Sequence, residues 1–162
     1  MTGRRFTMAL FIVTAAVLVM ASPAALRDDL ARGQIYAFSR DFLDDIPKRL
    51  TGPGSFRFIL QPLIAIALGS RDGVLDRRAG KVPYLLALIT GTGRRRELLR
   101  SGLSAIVNVL LMGILLDAVF QWIIFRAVHP GAALILGPVL IAAPYTLARA
   151  FANRVSRLVR PD

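Results

Sequence analysis

The sequence contains no cysteine and a single histidine, His129, among its 162 residues. Without cysteine the chain can form no disulfide and no thiolate nucleophile, and one histidine cannot assemble a metal site from nitrogen and sulfur ligands. The common catalytic motifs are missing as well: G-x-S-x-G, H-E-x-x-H, G-x-x-x-x-G-K and G-x-G-x-x-G. The GTG at 91–93 lacks the rest of any such pattern. These absences argue against an enzyme, and we expect no cofactor.

Negatively charged residues are also scarce. The chain has 10 Asp and Glu but 21 Lys and Arg, which gives a net charge of +11. The composition is 55% hydrophobic with a mean hydropathy of +0.57, and the apolar residues come in blocks. Such blocks predict a membrane protein. Because arginines flank the blocks, we interpret the positive charge as a topology signal that also attracts anionic lipid, and we expect no nucleic-acid partner.

The longest apolar block, 103–125, carries one charged residue, Asp117. At roughly 1.5 Å of rise per residue, a helix of this length crosses a hydrocarbon core of about 30 Å. Lipid cannot satisfy backbone N–H and C=O groups, so the block must be helical. The sequence therefore predicts an all-α integral membrane protein with a single membrane domain over 1–162.

Three further blocks are candidate spans. Residues 6–26 follow Arg4 and Arg5 and favour an uncleaved first helix over a cleaved signal peptide. Residues 131–148 contain two prolines and predict a kinked helix that forms a hairpin with the helix over 103–125. Residues 56–70 are short for a crossing, so four spans or three remain possible. Between the blocks at 6–26 and 56–70, apolar residues recur at spacings of three and four over 28–46. This pattern predicts one amphipathic helix, which lies either at the membrane surface or against the helix bundle.

The basic clusters on both open ends of the C-terminal hairpin place those ends in the cytoplasm. We therefore expect a multi-pass protein of a bacterial-type inner membrane with a cytoplasmic C-terminus. The count of Lys and Arg favours three spans. We nevertheless favour four spans, because only in that topology does Arg57 enter the membrane from the side nearer to Asp117.

Asp117 is the one ionisable residue far inside a clear span, and it shares a helix face with Gly113 and Gln121 at spacings of four. This face should pack against protein. We predict an intramembrane polar site of Asp117, Gln121, Arg57 and Gln61, in which Asp117 is paired and structural. Proton or cation transport through Asp117 is the alternative.

Several other polar residues receive weaker interpretations. Asp72 and Asp76 are expected to form local i to i+4 ion pairs with neighbouring arginines, with a headgroup-phosphate site as the alternative. His129 is expected to be a solvated loop residue. Asn108 is expected to form an interhelical hydrogen bond. Tyr84, Trp122 and Tyr145 are expected in the aromatic belts. The candidate contacts to lipid headgroups are Arg94, Arg95, Arg96, Arg100, Arg149 and Arg154.

Together these features favour a non-catalytic accessory or scaffold protein that binds other membrane proteins, or itself, and anionic lipid. A small transporter or channel component that uses Asp117 is the first alternative. A membrane enzyme that acts on lipid phosphates through the arginine-rich stretch 71–100 is the weaker one.

Overall fold

A computed structural model describes the backbone at residues 2–90 and 95–159, with side chains at 3–90 and 95–156. Every regular element in this part of the chain is helical. The α-helices are α1 (Thr2–Arg32), α2 (Arg40–Asp44), α3 (Ile46–Thr51), α4 (Arg57–Arg78), α5 (Tyr84–Thr90), α6 (Arg95–Phe125) and α7 (Pro130–Val159), and a 3₁₀ turn covers Tyr36–Phe38.

Four of these helices, α1, α4, α6 and α7, are long and apolar enough to cross a membrane. The protein is an all-α, multi-pass membrane protein, as predicted. The uncertain block at 56–70 belongs to a helix of 22 residues, because α4 continues through the polar residues up to Arg78. At roughly 1.5 Å per residue α4 is about 33 Å long, which removes the objection that the apolar block alone is too short.

The prediction of one amphipathic helix over 28–46 is wrong. Helix α1 runs on to Arg32 and ends at Gly33, whose positive φ of 65° is a left-handed conformation that breaks the helix. After the 3₁₀ turn, the side chain of Ser39 accepts a hydrogen bond from the Phe42 N–H and starts α2. The apolar stripe is divided as a result: Phe42 is buried, whereas Phe38 is 82% exposed.

The chain divides into two compact units, and α4, α6 and α7 contribute residues to both. The first unit comprises 1–59 and 108–139. Part of its core is formed by Tyr36, Phe42 and Ala132. The hairpin of α6 and α7 is tight here, because a side chain at Gly137 would lie 3.0 Å from the backbone nitrogen of Ile114. That the chain behaves as one membrane domain stays a prediction.

The second unit comprises 60–107 and 140–162. Its α4 and α7 approach each other closely at two glycines. A Cβ at Gly69 would lie 2.3 Å from the Tyr145 carbonyl oxygen, and one at Gly73 would lie 2.2 Å from the Arg149 carbonyl oxygen. Gly69 and Gly73 are four residues apart on one face of α4, the small-xxx-small spacing that lets membrane helices pack backbone to backbone.

Gly54 is a position in the first unit where only glycine fits. Its φ is +81°, and a Cβ would lie 2.4 Å from the Phe120 ring. We expect Gly54→Ala to lower the free energy of unfolding by about 2–3 kcal/mol, from the left-handed backbone together with the clash. Reversible unfolding in mixed micelles measures this loss. Gly33→Ala is the matched control, because Gly33 has a positive φ but open space around it. An equal loss in both variants would show that the Phe120 contact contributes nothing.

Candidate functional site

The candidate site is a buried ion cluster around Asp117 in the first unit. The Asp117 residue is only 3% exposed. Its Oδ1 lies 2.8 Å from Arg57 Nη2 and 3.2 Å from Arg49 Nη1, and its Oδ2 accepts a hydrogen bond of 2.7 Å from Gln121 Nε2. One carboxylate therefore faces two guanidinium groups and an amide.

Three separate elements bring these groups together. Gly113, Asp117 and Gln121 recur at intervals of four on α6, and all three are buried, so this face packs against protein as predicted. Arg57 is the first residue of α4, directly after the turn that Gly54 makes possible. Arg49 lies on the short helix α3 and is 1% exposed. Arg49 is the member of the cluster that the sequence analysis missed.

A second layer surrounds Arg49. The Tyr36 hydroxyl donates a hydrogen bond of 2.7 Å to Asp45 Oδ2 and accepts one of 3.3 Å from Arg49 Nη2. Asp45 also pairs with Lys48 at 2.8 Å. Burial raises the pKa of Tyr36 to about 12, so its hydroxyl keeps its proton across the physiological range. Tyr36 thereby connects Arg49 to a second carboxylate.

Both guanidinium groups also lie over aromatic rings. The Cζ of Arg49 is 5.0 Å from the centre of the Phe125 ring, and the Cζ of Arg57 is 4.9 and 5.1 Å from the centres of Phe58 and Phe120. Such cation–π contacts are worth about 2 kcal/mol when desolvated. They favour the charged guanidinium groups but do not replace a counterion.

The hydrogen bonding of the two arginines is incomplete among the described residues. Arg49 Nε, Arg57 Nε and Arg57 Nη2 find no hydrogen-bond acceptor, although Arg57 Nη2 lies at ion-pair distance from Asp117. The N–H groups of Arg57 Nη2 do not point at the carboxylate oxygen, so this contact is an ion pair without a hydrogen bond. The other terminal nitrogen, Arg57 Nη1, donates a hydrogen bond of 3.2 Å to the Leu116 carbonyl. Since the hydrogen bonds are few, the negative charge of Asp117 is the main compensation for two buried cations.

His129 does not have the solvated position that we predicted. It is 6% exposed and stacks on Tyr36, with ring centres 3.9 Å apart. Its backbone N–H donates to Gln121 Oε1 at 2.8 Å, which joins the turn to the cluster. His129 is buried because Tyr36 and Gln121 pack against it, and the composition of the turn alone does not reveal this. Neither ring nitrogen of His129 has a hydrogen-bond partner within the described ranges.

We expect acid to weaken the first unit through His129. Burial lowers the pKa of His129 below its ordinary 6.5, and the nearby Arg32 and Arg49 lower it while Asp28 and Asp29 oppose them. A depressed pKa means that the neutral ring contributes stability above pH 6.5, and this contribution is lost as the pH falls through the folded-state value. Thermal unfolding in detergent between about pH 7.5 and 5 should therefore show a falling melting temperature. In His129→Phe, which keeps a ring on Tyr36, the fall should be smaller. An identical slope in both proteins would contradict this assignment.

Two of the predicted polar residues have a buried side-chain atom without the partner expected of it. Gln61 is 6% exposed and belongs to the second unit, and its Nε2 has no hydrogen-bond partner among the described residues. Asn108 Oδ1 is likewise unpartnered in that part of the chain. The participation of Gln61 in the Asp117 site and the interhelical hydrogen bond of Asn108 therefore stay predictions.

The second unit contains an ion cluster of its own, between α4 and α7. Arg149 Nε donates to Asp76 Oδ2 at 2.6 Å, and the Tyr145 hydroxyl donates to Asp72 Oδ2 at 2.7 Å. The Arg149 Cζ lies 4.2 Å from the centre of the Tyr84 ring. The shortest contacts of Asp72 and Asp76 are thus to α7, far along the chain, and Lys81 Nζ also lies 3.6 Å from Asp76 Oδ1. The prediction named only local ion pairs and did not include the contacts to α7. Asp72 and Asp76 lie on the side of α4 that packs against α7, where Gly69 and Gly73 admit the close approach.

This cluster also corrects two predictions about the surface. Arg149 is 6% exposed and bound to Asp76, so it is not available to a lipid headgroup. Tyr84 and Tyr145 are buried in the second unit instead of lying in an aromatic belt, whereas Trp122 is 55% exposed. Arg95, Arg96, Arg100 and Arg154 are exposed and could reach headgroups. Arg94 lies outside the described residues.

Within the described ranges, no group of three His, Asp or Glu side chains is placed to hold a metal ion. At the Asp117 cluster a further cation would be repelled by the two guanidinium groups that already pair with the carboxylate. Comparison with protein families, with curated proteins and with solved structures finds no match.

Proposed function

We propose that the protein is a non-catalytic accessory or scaffold protein of a bacterial-type inner membrane that binds other membrane proteins and anionic lipid. The proposal rests on the ion pairs and the hydrogen bond that Asp117 forms. Its carboxylate is within 3.4 Å of two guanidinium groups and is hydrogen-bonded by Gln121. A carboxylate engaged in this way stabilises helix packing and is poorly suited to accept a cation.

The exposed surface supports the lipid-binding part of the proposal. Arg95, Arg96 and Arg100 are exposed at the start of α6, and Arg154 is exposed near the end of α7. Basic side chains next to membrane spans attract anionic headgroups by about 1 kcal/mol each. In the four-span topology that we propose, both basic segments lie in the cytoplasm. Reporter fusions at Arg40 and Lys81 test this topology: we expect Arg40 outside and Lys81 inside.

Native recovery from membranes tests the accessory role. After crosslinking and mild solubilisation, the tagged full-length chain should bring down one membrane protein in fixed stoichiometry. Asp117→Ala, which disrupts the first unit, should lose this partner, whereas Asp44→Ala, a change at an exposed carboxylate on α2, should keep it. Recovery of the wild-type chain alone, under conditions that preserve known membrane complexes, would contradict the proposal.

A further inference from the structure

The first unit carries a groove with a cavity volume of about 450 Å³ that no part of the proposed function uses. One wall is formed by α1, with Val17, Met20, Ala21 and Ala24, and the other by the end of α6 and the turn after it. The volume lies within the range of about 300–1,000 Å³ that is typical of small-molecule sites. The floor is apolar, and the small alanines leave the space open.

The groove runs from the end of a span toward its interior. Asp28 lies at one end of the lining on α1 and Val17 at the other, eleven residues or about 16 Å deeper along the helix. Trp122, which is 55% exposed, lines the opposite wall. Tryptophan prefers the boundary between headgroups and acyl chains. The lining thus changes from polar at one end of the groove to apolar at the other. A molecule with a polar head and an elongated apolar chain fits such a lining.

Two opposite charges line the polar end of the groove. Asp28 is half-buried and Arg126 is exposed, and both belong to the lining. Neither side chain has a hydrogen-bond or ion-pair partner in the part of the chain that the structure describes, and they do not pair with each other. The groove therefore presents, at its polar end, a cation and an anion that are not paired with each other.

The backbone at Arg126 is a second, independent observation. Its φ is +54°, and it is the only described residue other than glycine with a positive φ. Helices commonly end in this conformation, but glycine or asparagine usually occupies it because a Cβ is strained there. A strained residue at a site boundary is typical of functional positions. Glycine would end the helix equally well at this position. The arginine instead places a guanidinium group at the mouth of the groove.

We infer that this groove binds a phospholipid whose headgroup carries a phosphodiester and a primary ammonium, as in phosphatidylethanolamine. The guanidinium of Arg126 pairs with the phosphate, and the carboxylate of Asp28 accepts hydrogen bonds from the ammonium. One acyl chain lies along Ala24, Ala21 and Val17. A purely anionic headgroup would leave Asp28 facing negative charge, and a quaternary ammonium offers no N–H to it.

Native mass spectrometry of the full-length chain tests this inference. The protein is purified in detergent and offered equimolar phosphatidylethanolamine, phosphatidylcholine and phosphatidylglycerol. We expect one phosphatidylethanolamine to be retained about tenfold more tightly than phosphatidylcholine, a difference equivalent to about 1.4 kcal/mol. Phosphatidylglycerol also binds the exposed arginines of the proposed function, so its share in the groove is the part of its retention that Arg126→Gly removes. Asp28→Asn should abolish this preference, and Asp44→Asn, at an exposed carboxylate away from the groove, should preserve it.

Arg126→Gly separates binding from folding. Glycine removes the guanidinium and relieves the positive-φ backbone, so the melting temperature should stay equal or rise while retention of the lipid falls about tenfold. Ala21→Leu, which fills the groove, should reduce retention of all three lipids. Equal retention of the three headgroups by the wild type would overturn the inference. So would a preference that survives Asp28→Asn and Arg126→Gly, or a dimer that excludes lipid.

Discussion

Asp117→Ala is expected to lower the free energy of unfolding by about 3–5 kcal/mol, because it leaves two buried guanidinium groups without their counterion. Arg49 and Arg57 are each 1% exposed, and three of their nitrogens already lack an acceptor among the described residues. Neither side chain can reach water without opening the first unit. Reversible unfolding in mixed micelles measures the loss, and Asp44→Ala, at an exposed carboxylate, is the control.

A variant that removes all three charges at once distinguishes the effect of charge balance from the effect of packing. Combining Asp117→Leu with Arg49→Met and Arg57→Met removes all three charges and keeps much of the volume. Hydrophobic replacement of a whole buried ion cluster is often neutral or stabilising, so we expect this triple variant to recover most of the stability that Asp117→Ala loses. A triple variant as unstable as Asp117→Ala would show that the cluster matters through its shape and hydrogen bonds instead of its charge balance.

The second large effect is expected in the second unit, from Gly69→Val combined with Gly73→Val. Each added side chain would meet backbone atoms of α7 at distances below 2.5 Å, which packed helices cannot accommodate. Overpacking at one site costs typically 1–3 kcal/mol, so the double variant should lose about 4 kcal/mol. The separation of α4 from α7 should also break the Arg149–Asp76 ion pair.

Unfolding in mixed micelles again measures the loss, with Ala67→Val as the control. Ala67 lies on the same helix but is exposed, so the added methyl groups meet no packed backbone. We expect this control to change stability by less than about 0.5 kcal/mol. A similar stability in both variants would contradict the close α4–α7 contact.

The spans could be predicted from the sequence because they depend on one local property, the apolar content of a stretch of membrane-spanning length. The short helices between Gly33 and Gly52 could not. There the apolar spacing suggested a continuous helix, and one glycine in a left-handed conformation decided otherwise. Helix α4 is the intermediate case. Its apolar half was a candidate span, but Asp72 and Asp76 were expected to pair locally, because the sequence does not show that Tyr145 and Arg149 of α7 lie beside them.

The candidate site, too, could be predicted only in part from the sequence. That Asp117 needs a cation, and that Arg57 could supply it, follows from the cost of an unpaired charge in lipid. Arg49 is 68 positions away from Asp117, so no local pattern in the sequence connects the two residues. The spacing offered one signal, because Arg49 follows Phe42 by seven residues, a separation at which two residues of a helix lie on the same face. The unpaired Asp28 and Arg126 show no such pattern, since only the fold brings them to one groove.

The most direct test of the account is ion flux through liposomes that contain the purified wild-type protein. With Asp117 held between Arg49 and Arg57, we expect proton and monovalent-cation flux equal to that of protein-free liposomes, before and after Asp117→Asn. A flux that the wild type supports and Asp117→Asn abolishes, in a variant that still folds, would contradict the structural role of this carboxylate.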